Sequence, residues 1–293
     1  MADSPCHEER LRRPSLTRSL QVGDLRVSYV ADGASSIRAR FLIPEATEED
    51  WARQGRYLDD DGCLTLSAGG LLVERGERAL LIDAGFGPFS STPAGLEHPS
   101  VARMYGGGLL DNLRQLGRSP QDVEAIAVTH LHVEHVGWAA NPEPGSSTPA
   151  FTRAEVLVSE TEWAARQAGY GVTQAALDTM APRVRAVADG DEVFPGVRAV
   201  ALPGHTPGQL GYTITSGGST VFAFADVLHS PVQVAYPQWA TIGEDPQAGP
   251  AARRRVLEAL ADQDTIGYGV HFADVVFGRV RRQGTGFTWH PLP

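Results

Sequence analysis

Short apolar or β-branched runs bounded by turn residues recur along the whole chain and predict a β-rich fold. They predict strands over residues 25–30, 64–74, 79–83, 125–129, 155–159, 210–215, 220–225, 265–270, 275–281 and 287–290. Helical periodicity between these runs predicts helices over residues 47–57, 100–116, 160–167 and 246–262. The last helix has a typical start signal, with Asp245 as the N-cap and Pro246 in the first helical position.

Two β-rich halves interleaved with helices imply an α/β fold in which two sheets pack face to face with helices outside. With 293 residues the chain is long enough to bury a large core. We assign residues 19–293 to a single domain and residues 1–18 to a flexible N-terminal tail. The tail contains Pro5, Pro14 and a run of charges, and it lacks the apolar core of a signal peptide.

The charge balance argues against polyanionic partners. Twenty-five Lys and Arg against 35 Asp and Glu give a formal net charge of −10, so the surface should repel nucleic acid and anionic membranes. No apolar run approaches the roughly 18 residues that a membrane span needs. Only Cys6 and Cys63 occur, which indicates neither a disulfide framework nor a cysteine zinc site. We therefore expect a cytoplasmic protein that acts on a small molecule.

Residues 129–135 concentrate metal-binding side chains at the end of a predicted strand. These side chains are His130, His132, Glu134 and His135. A lone histidine is more often a hydrogen-bonded core or surface residue. Clustered imidazoles, however, repel one another when protonated and desolvate one another when neutral, so a shared cation stabilises them most simply. His205 and His271 follow later strand-like runs, and together these donors suit zinc or a similar divalent ion.

The motifs resemble those of the metallo-β-lactamase superfamily. Its signature His-x-His-x-Asp-His is matched at residues 130–135, and residues 81–85 resemble its Asp-x-Gly turn. Residues 203–208 resemble its next histidine loop, residues 224–226 its bridging aspartate, and residues 269–271 its last histidine. The matches follow the superfamily's order along most of the chain. The resemblance implies a four-layer αββα sandwich of two mixed β-sheets flanked by helices.

The resemblance also implies two metal sites. One ion would bind His130, His132 and His205, and the other would bind Glu134, His135 and His271. Asp226 would bridge the two ions together with a water or hydroxide. Asp83 and Thr129 would lie outside the ligands and fix their orientation. We expect the ions to be Zn²⁺, with Mn²⁺ or Fe²⁺ as alternatives, because superfamily members use all three on similar ligands.

Glu134 departs from the superfamily pattern, since the signature has an aspartate there. Glutamate is one methylene longer, so either its carboxylate folds back and the second site is looser, or the protein holds one ion tightly and the second weakly. We favour ligation because His135, Asp226 and His271 all remain and their geometry demands a cation.

His229 lies three residues after Asp226, and its imidazole could reach over the metal pair as a proton donor to the leaving group. A hydrogen-bonded loop residue is an equally good interpretation. Acyl-homoserine lactonases of the superfamily usually have a tyrosine at this position, whereas the histidine is more similar to the branch that contains methyl parathion hydrolase. We expect Asp226, His229 and Glu134 to take part in catalysis.

The loop over residues 85–108 is long and could cover the metal site as an apolar lid. We expect the substrate pocket to include Phe86, Phe89, Tyr105, Trp138 and Trp239. Ordinary core packing is at least as good an interpretation for each of these aromatic residues. Exposed apolar loops of this kind are compatible with a homodimer.

Three functional hypotheses follow. The first is a metal-dependent hydrolase in which a metal-bridging hydroxide cleaves a carboxylic ester or lactone, with phosphotriesters as a side activity. The second is a thioesterase-like or product-releasing enzyme of secondary metabolism. The third is a non-catalytic binding protein on the same fold, weakened at the second metal site by Glu134.

Overall fold

The first of two β-sheets comes from the N-terminal part of the chain. The computed structural model describes residues 5–92, 96–262 and 265–293, with side chains from residue 8 onward. The sheet contains β1 (Arg18–Val22), β2 (Leu25–Arg38), β3 (Cys63–Arg75), β4 (Arg78–Ile82), β5 (Val101–Tyr105), β6 (Val123–Ala127), β7 (Glu155–Ser159) and β8 (Val184–Val187). Its order is β1-β2-β3-β4-β6-β7-β8, with β5 paired to β2. Strands β1 to β4 are antiparallel, and β4, β6, β7 and β8 are parallel.

The second sheet comes from the C-terminal part. It contains β9 (Glu192–Phe194), β10 (Val197–Ala201), β11 (Leu210–Ser216), β12 (Ser219–Ala223), β13 (Ile266–Tyr268), β14 (Phe277–Gln283) and β15 (Gly286–Pro291). Its order is β15-β14-β13-β12-β11-β10-β9. The β12 and β13 pair is parallel and the other pairs are antiparallel. Both sheets are therefore mixed.

Helices cover the outer faces of both sheets. The helices of the described residues are α1 (Pro5–Arg10), α2 (Ala39–Leu42), α3 (Glu48–Arg53), α4 (Leu109–Gln115), α5 (Val133–Ala140), α6 (Glu160–Ala164), α7 (Gln174–Met180), α8 (Val232–Ala235) and α9 (Ala248–Asp262). Of these, α4, α5 and α7 pack on the first sheet and α9 packs on the second. Short 3₁₀ turns extend α3 over Gly55–Tyr57 and follow α6 over Arg166–Ala168. None of the helices in the described ranges is long and apolar enough to span a bilayer.

Three apolar cores hold the layers together. The central core lies between the sheets, where Leu71 and Leu80 of the first sheet join Tyr212 of the second. A second core packs α4, α5 and α7 on the first sheet, and a third packs α9 on the second sheet. Burial of each large apolar side chain contributes about 1.5–3 kcal/mol. The layers form the αββα sandwich that the sequence predicts.

All ten predicted strands form, but one predicted helix is wrong. Residues 100–116 divide into β5 and α4, and β5 pairs with β2 through Ser35↔Met104 and Ala34↔Tyr105. The three glycines at residues 106–108 separate the two elements, because glycine is unfavourable inside a helix. Helix α9 also begins at Ala248, two residues later than predicted, where Asp245 Oδ1 accepts hydrogen bonds from the first free amides.

Residues 8–18 pack on the domain, which corrects the flexible tail predicted over residues 1–18; residues 1–4 lie outside the described residues. The buried Arg10 donates from Nε to the Asp274 carbonyl oxygen at 2.9 Å. Arg13 and Arg18 donate to the Asp274 carboxylate at 2.9 and 2.5 Å. A charged, proline-containing segment is typical of a solvated tail, but here its arginines neutralise a buried carboxylate that the sequence pattern does not reveal.

Candidate metal centre

All seven predicted metal ligands lie at one end of the sandwich, on loops or helix starts that follow strands. Loops at strand ends combine a rigid support with an exposed position, which suits functional side chains. The strands β6, β10, β12 and β13 deliver them from both sheets. After β6 come His130, His132, Glu134 and His135, after β10 comes His205, after β12 comes Asp226, and after β13 comes His271.

Asp226 is the centre of the cluster. Its carboxylate is 1% exposed and has histidine nitrogens on every side. Oδ1 lies 3.4 Å from His135 Nε2. Oδ2 lies near four histidine Nε2 atoms, those of His229 at 3.1 Å, His271 at 3.2 Å, His205 at 3.5 Å and His130 at 3.8 Å. The Asp226 carboxylate thus faces histidines of both predicted metal sites.

The donor atoms fall into groups of the size that a metal ion needs. Within each group the donor atoms lie within 4.8 Å of one another. The groups are His130, His132 and His205; Glu134, His135, Asp226 and His271; and His205, Asp226 and His229. The first two correspond to the two predicted sites, with Asp226 between them.

The polar atoms of the cluster fit divalent cations. In the part of the chain that the structure describes, several buried atoms here have no hydrogen-bond partner, namely His130 Nε2, Glu134 Oε2, His135 Nε2, His205 Nδ1, Asp226 Oδ1 and His229 Nδ1. Leaving one buried polar group unpaired costs about 1–3 kcal/mol, so such a concentration requires a partner. Imidazole nitrogens with carboxylate oxygens are the donors that zinc accepts.

Hydrogen bonds fix which ring nitrogen of each ligand is free. His135 Nδ1 lies 2.9 Å from Asp83 Oδ2, and His271 Nδ1 lies 2.8 Å from the Ser67 carbonyl oxygen. Donation from Nδ1 to these acceptors leaves the Nε2 atom of each ring facing Asp226. Thr129 Oγ1 donates to Asp83 at 2.9 Å and lies 3.1 Å from His130 Nδ1. Asp83 and Thr129 therefore contact the ligands from outside.

Burial and charge divide the histidines into two classes. Burial lowers the pKa of His130, His132 and His205, so these imidazoles are neutral and each has a ring nitrogen that can bind a metal ion. Burial also acts to lower the pKa of His135 and His271, but the Asp226 carboxylate outweighs it and both pKa values are raised.

The same interactions act on the carboxylate. Burial raises the pKa of Asp226, but His271 and His135 outweigh it and hold the pKa well below its usual range. Asp226 is therefore an anion at neutral pH.

Backbone strain is concentrated at the same loops. In the described ranges, the non-glycine residues with left-handed φ are Asp83 at 58°, Ala225 at 50° and Ala273 at 44°. Asp83 contacts His135, Ala225 precedes Asp226 and Ala273 lies two residues after His271. Left-handed φ costs about 1–2 kcal/mol per residue, and such strain clusters at functional sites.

A cavity of about 570 Å³ opens over the cluster. We call its ligand-bearing end the polar floor, which consists of His132, Glu134, His205, His229 and His271. We call the opposite side the apolar wall, which consists of Ile37, Phe41, Leu42, Leu66, Phe86, Val101, Met104 and Ile242. Among the described residues that line the cavity there is no lysine or arginine.

Residues 70–266 match the model of the metallo-beta-lactamase superfamily. The chain belongs to the metallo-β-lactamase superfamily. It is 29% identical over 234 residues to metallo-beta-lactamase domain-containing protein 1 of Xenopus laevis, covering 79% of this chain and 84% of that protein. It is 25% identical over 205 residues to an N-acyl homoserine lactonase of Bacillus thuringiensis, covering 67% and 77%. These matches indicate a metal-dependent hydrolase, the enzyme class that the sequence predicts.

Solved structures of the superfamily share the fold. AidC, a dizinc quorum-quenching lactonase in complex with a product, superposes with a TM-score of 0.79 at 22% identity over 95% of this chain and 98% of its own. The hydrolase AbOPH of the beta lactamase superfamily superposes with a TM-score of 0.78 at 23% identity over 96% and 99%. The predicted superfamily fold is therefore confirmed.

Glu134 lies inside the cluster although the superfamily signature has aspartate there. It starts α5 beside His135, and its carboxylate belongs to the donor group with Asp226 and His271. Its Oε2 atom is buried and is one of the unpaired atoms described above. The longer side chain thus places a carboxylate oxygen within 4.8 Å of the other donor atoms of this group.

His229 also lies inside the cluster. Its Nε2 atom is 3.1 Å from Asp226 Oδ2, and its ring stacks on His271 at 5.5 Å and 12°. Its backbone amide donates to the buried Gln233 Oε1 at 2.8 Å, which anchors the loop. The third residue after Asp226 is therefore an imidazole that contacts the central carboxylate.

The predicted pocket residues are mostly elsewhere, and Phe86 alone of them lines the cavity. Trp138 is a core residue whose indole Nε1 donates to Asp32 Oδ1 at 2.8 Å. Trp239 stacks on Tyr236 in a separate apolar cluster. Phe89 packs behind Phe86, and Tyr105 lies in β5 beneath Arg103. Core packing was the better interpretation, because aromatic residues near a site serve packing as readily as binding.

Sequence reasoning missed two residues that hold the ligand loops. Ser67 accepts from His271 through its carbonyl oxygen, and its hydroxyl donates to the Ala273 carbonyl oxygen at 2.9 Å. Glu162 is a buried carboxylate near His132 and His205. Neither lies within a ligand motif, so the spacing of histidines contains no signal for them.

Proposed function

We propose that this protein is a metal-dependent hydrolase that opens a lactone or cleaves a carboxylic ester of a neutral, partly apolar substrate. The observation that supports this most directly is the convergence of seven imidazole and carboxylate donors at and directly beneath the polar floor of the cavity. The lactonases among its relatives support the same substrate class.

Two divalent ions, most simply Zn²⁺, would be held by these residues. His130, His132 and His205 would bind one, Glu134, His135 and His271 would bind the other, and Asp226 would bridge them. Bound in this way, the ions would supply a hydroxide at neutral pH and would polarise the scissile carbonyl. Asp83 and Thr129 would keep the Nε2 atoms of His135 and His130 directed at the ions.

His229 would hold the proton that the leaving oxygen requires. It lines the cavity, and its Nε2 atom lies within hydrogen-bond distance of Asp226 Oδ2. A bound ester therefore meets an imidazole on the same side as the metal ligands, which suits general acid catalysis.

The cavity lining supports a neutral substrate. A coenzyme A thioester or a phosphate monoester would need cationic side chains, and the described lining contains neither lysine nor arginine. This weighs against the thioesterase-like hypothesis. Phosphotriesters are uncharged and remain compatible as a side activity. The position of Glu134 within the donor group weighs against a non-catalytic protein.

Reconstitution tests the proposal. Metal-free protein, Zn²⁺-loaded and Mn²⁺-loaded protein are assayed on acyl lactones of increasing chain length, aryl esters, a coenzyme A thioester and a phosphotriester. We expect metal-dependent turnover of lactones or aryl esters, little turnover of the thioester, and metal analysis near two equivalents per chain. Absence of metal-dependent turnover on the whole panel would contradict the proposal, and thioester hydrolysis alone would favour the second hypothesis.

A further inference from the structure

Glu162 joins the two histidine loops of the first predicted metal site. Its side chain is buried, with 4% of its surface exposed. Oε1 accepts a hydrogen bond from the Leu131 amide at 2.9 Å. Oε2 accepts from the Thr206 hydroxyl at 2.8 Å and from the Gly208 amide at 3.0 Å. One carboxylate therefore ties the backbone between His130 and His132 to the loop that begins at His205.

The segment around Glu162 is pressed against both loops. Ser159 caps α6 by accepting from the Glu162 amide at 3.0 Å, and its hydroxyl donates to the Gly208 carbonyl oxygen at 2.7 Å. A Cβ atom on Gly208 would lie 2.2 Å from the Glu162 nitrogen, and one on Gly169 would lie 2.2 Å from the Leu131 carbonyl oxygen. The backbone of α6 is therefore in direct contact with the His205 loop at Gly208.

The two loops that Glu162 joins carry His132 and His205, two predicted ligands of the first metal ion. His132 Nδ1 and His205 Nε2 face each other at 3.1 Å. A metal site has to be held within about 0.5 Å of its productive geometry, and residues behind the ligands provide that precision. Charge-assisted hydrogen bonds to a buried carboxylate are stronger than neutral ones, so the tie is rigid.

We infer that Glu162 is a positioning residue that sets the distance between His132 and His205 for the first metal ion. The inference rests on the proposed dinuclear site. It assigns the residue no contact with substrate. Its effect on turnover acts through the ion that the two histidines hold.

Glu162→Gln tests this, with Glu160→Gln as the matched control. Glu160 is an exposed glutamate on the same helix, so the control makes the same change of charge. Zn²⁺ affinity is measured for both ions by competition with a chromogenic chelator. His132→Ala and His271→Ala identify which binding step belongs to which site. We expect Glu162→Gln to weaken the step affected by His132→Ala by about 10–100-fold and to leave the other step within about threefold.

Thr206→Val provides a second variant that keeps the charge of Glu162 and removes one of its three donors. We expect the same step to weaken, by less than in Glu162→Gln. If either folded variant binds both ions as Glu160→Gln does, the inference is overturned. If Glu162→Gln does not fold, an unchanged affinity in Thr206→Val overturns it alone. If the unaltered protein binds no Zn²⁺ at these residues, the proposed function itself fails.

Discussion

The polar floor and the apolar wall of the cavity are built on different principles. Floor residues are held by hydrogen bonds to residues outside the cavity. The Ser67 carbonyl oxygen accepts from His271, and Gln233 Oε1 accepts from the His229 backbone amide. Wall side chains are held by packing, and Ile242 is 48% exposed. The difference indicates that the chemical groups are fixed at strand ends by hydrogen bonds, whereas the wall is assembled from apolar side chains of β2, β3, β5, α2 and two loops.

The largest effect is expected at Asp226, which lies beneath the floor and contacts three of its histidines. Asp226→Ala removes the carboxylate that every surrounding imidazole faces. We expect metal content to fall toward one equivalent and kcat/KM to fall by on the order of 10³-fold or more, as for the loss of a central catalytic group. Elemental analysis and steady-state kinetics measure both. Asp178→Ala, an exposed substitution on α7, is the control, and an active variant with two ions would show that Asp226 is no bridge.

The loop after His271 is also contacted by the N-terminal segment, which the sequence predicts to be a flexible tail. Asp274 lies three residues after His271 and is fully buried. The side chains of Arg10, Arg13 and Arg18 lie within ion-pair distance of its carboxylate. Asp274→Ala removes the buried acceptor of Arg13 and Arg18, and we expect a loss of about 3 kcal/mol in the free energy of unfolding. Denaturant titration measures the loss.

The control for Asp274 is an exposed ion pair. Arg282 and Asp262 are each more than half exposed, at 53% and 58% of their side chains. Asp262→Ala should cost about 0–1 kcal/mol. Equal losses in the two variants would mean that the N-terminal segment contributes no more than a surface pair.

A smaller effect is expected at Asp83, which orients ligands without belonging to the floor. Asp83→Asn keeps the shape of the side chain but replaces one acceptor oxygen with an NH₂ group. That group would face a hydrogen-bond donor of Thr129 or His135, so one hydrogen bond would be lost. We expect metal affinity to fall by about 10–100-fold while the chain stays folded. A chelator competition experiment measures this, and unchanged affinity would show that the ring of His135 is oriented by packing alone.

The same difference between floor and wall explains what the sequence can predict. Each ligand follows a strand-like run in a short motif, so the histidines at residues 130–135 and the later loops were identifiable together. Wall residues such as Phe41, Phe86 and Ile242 come from distant segments, and their apolar character does not distinguish a cavity from a core. Residues 101–105 fit a helical pattern until pairing with β2 makes them a strand. Trp138 was misplaced because its partner Asp32 is distant in sequence.

The smallest effect is expected in the wall, and it tests whether wall and floor are separable. Ile242→Ser shortens an exposed apolar contact at the cavity, and removal of such a contact is worth about 1 kcal/mol. We expect KM for long-chain lactones to rise about threefold to tenfold while kcat and metal content stay unchanged, with no change for short-chain lactones. Leu16→Ser is the control, because Leu16 is 71% exposed and lies outside the cavity lining. A fall in kcat at unchanged KM would mean that the wall helps to hold the floor and that the two regions are one unit.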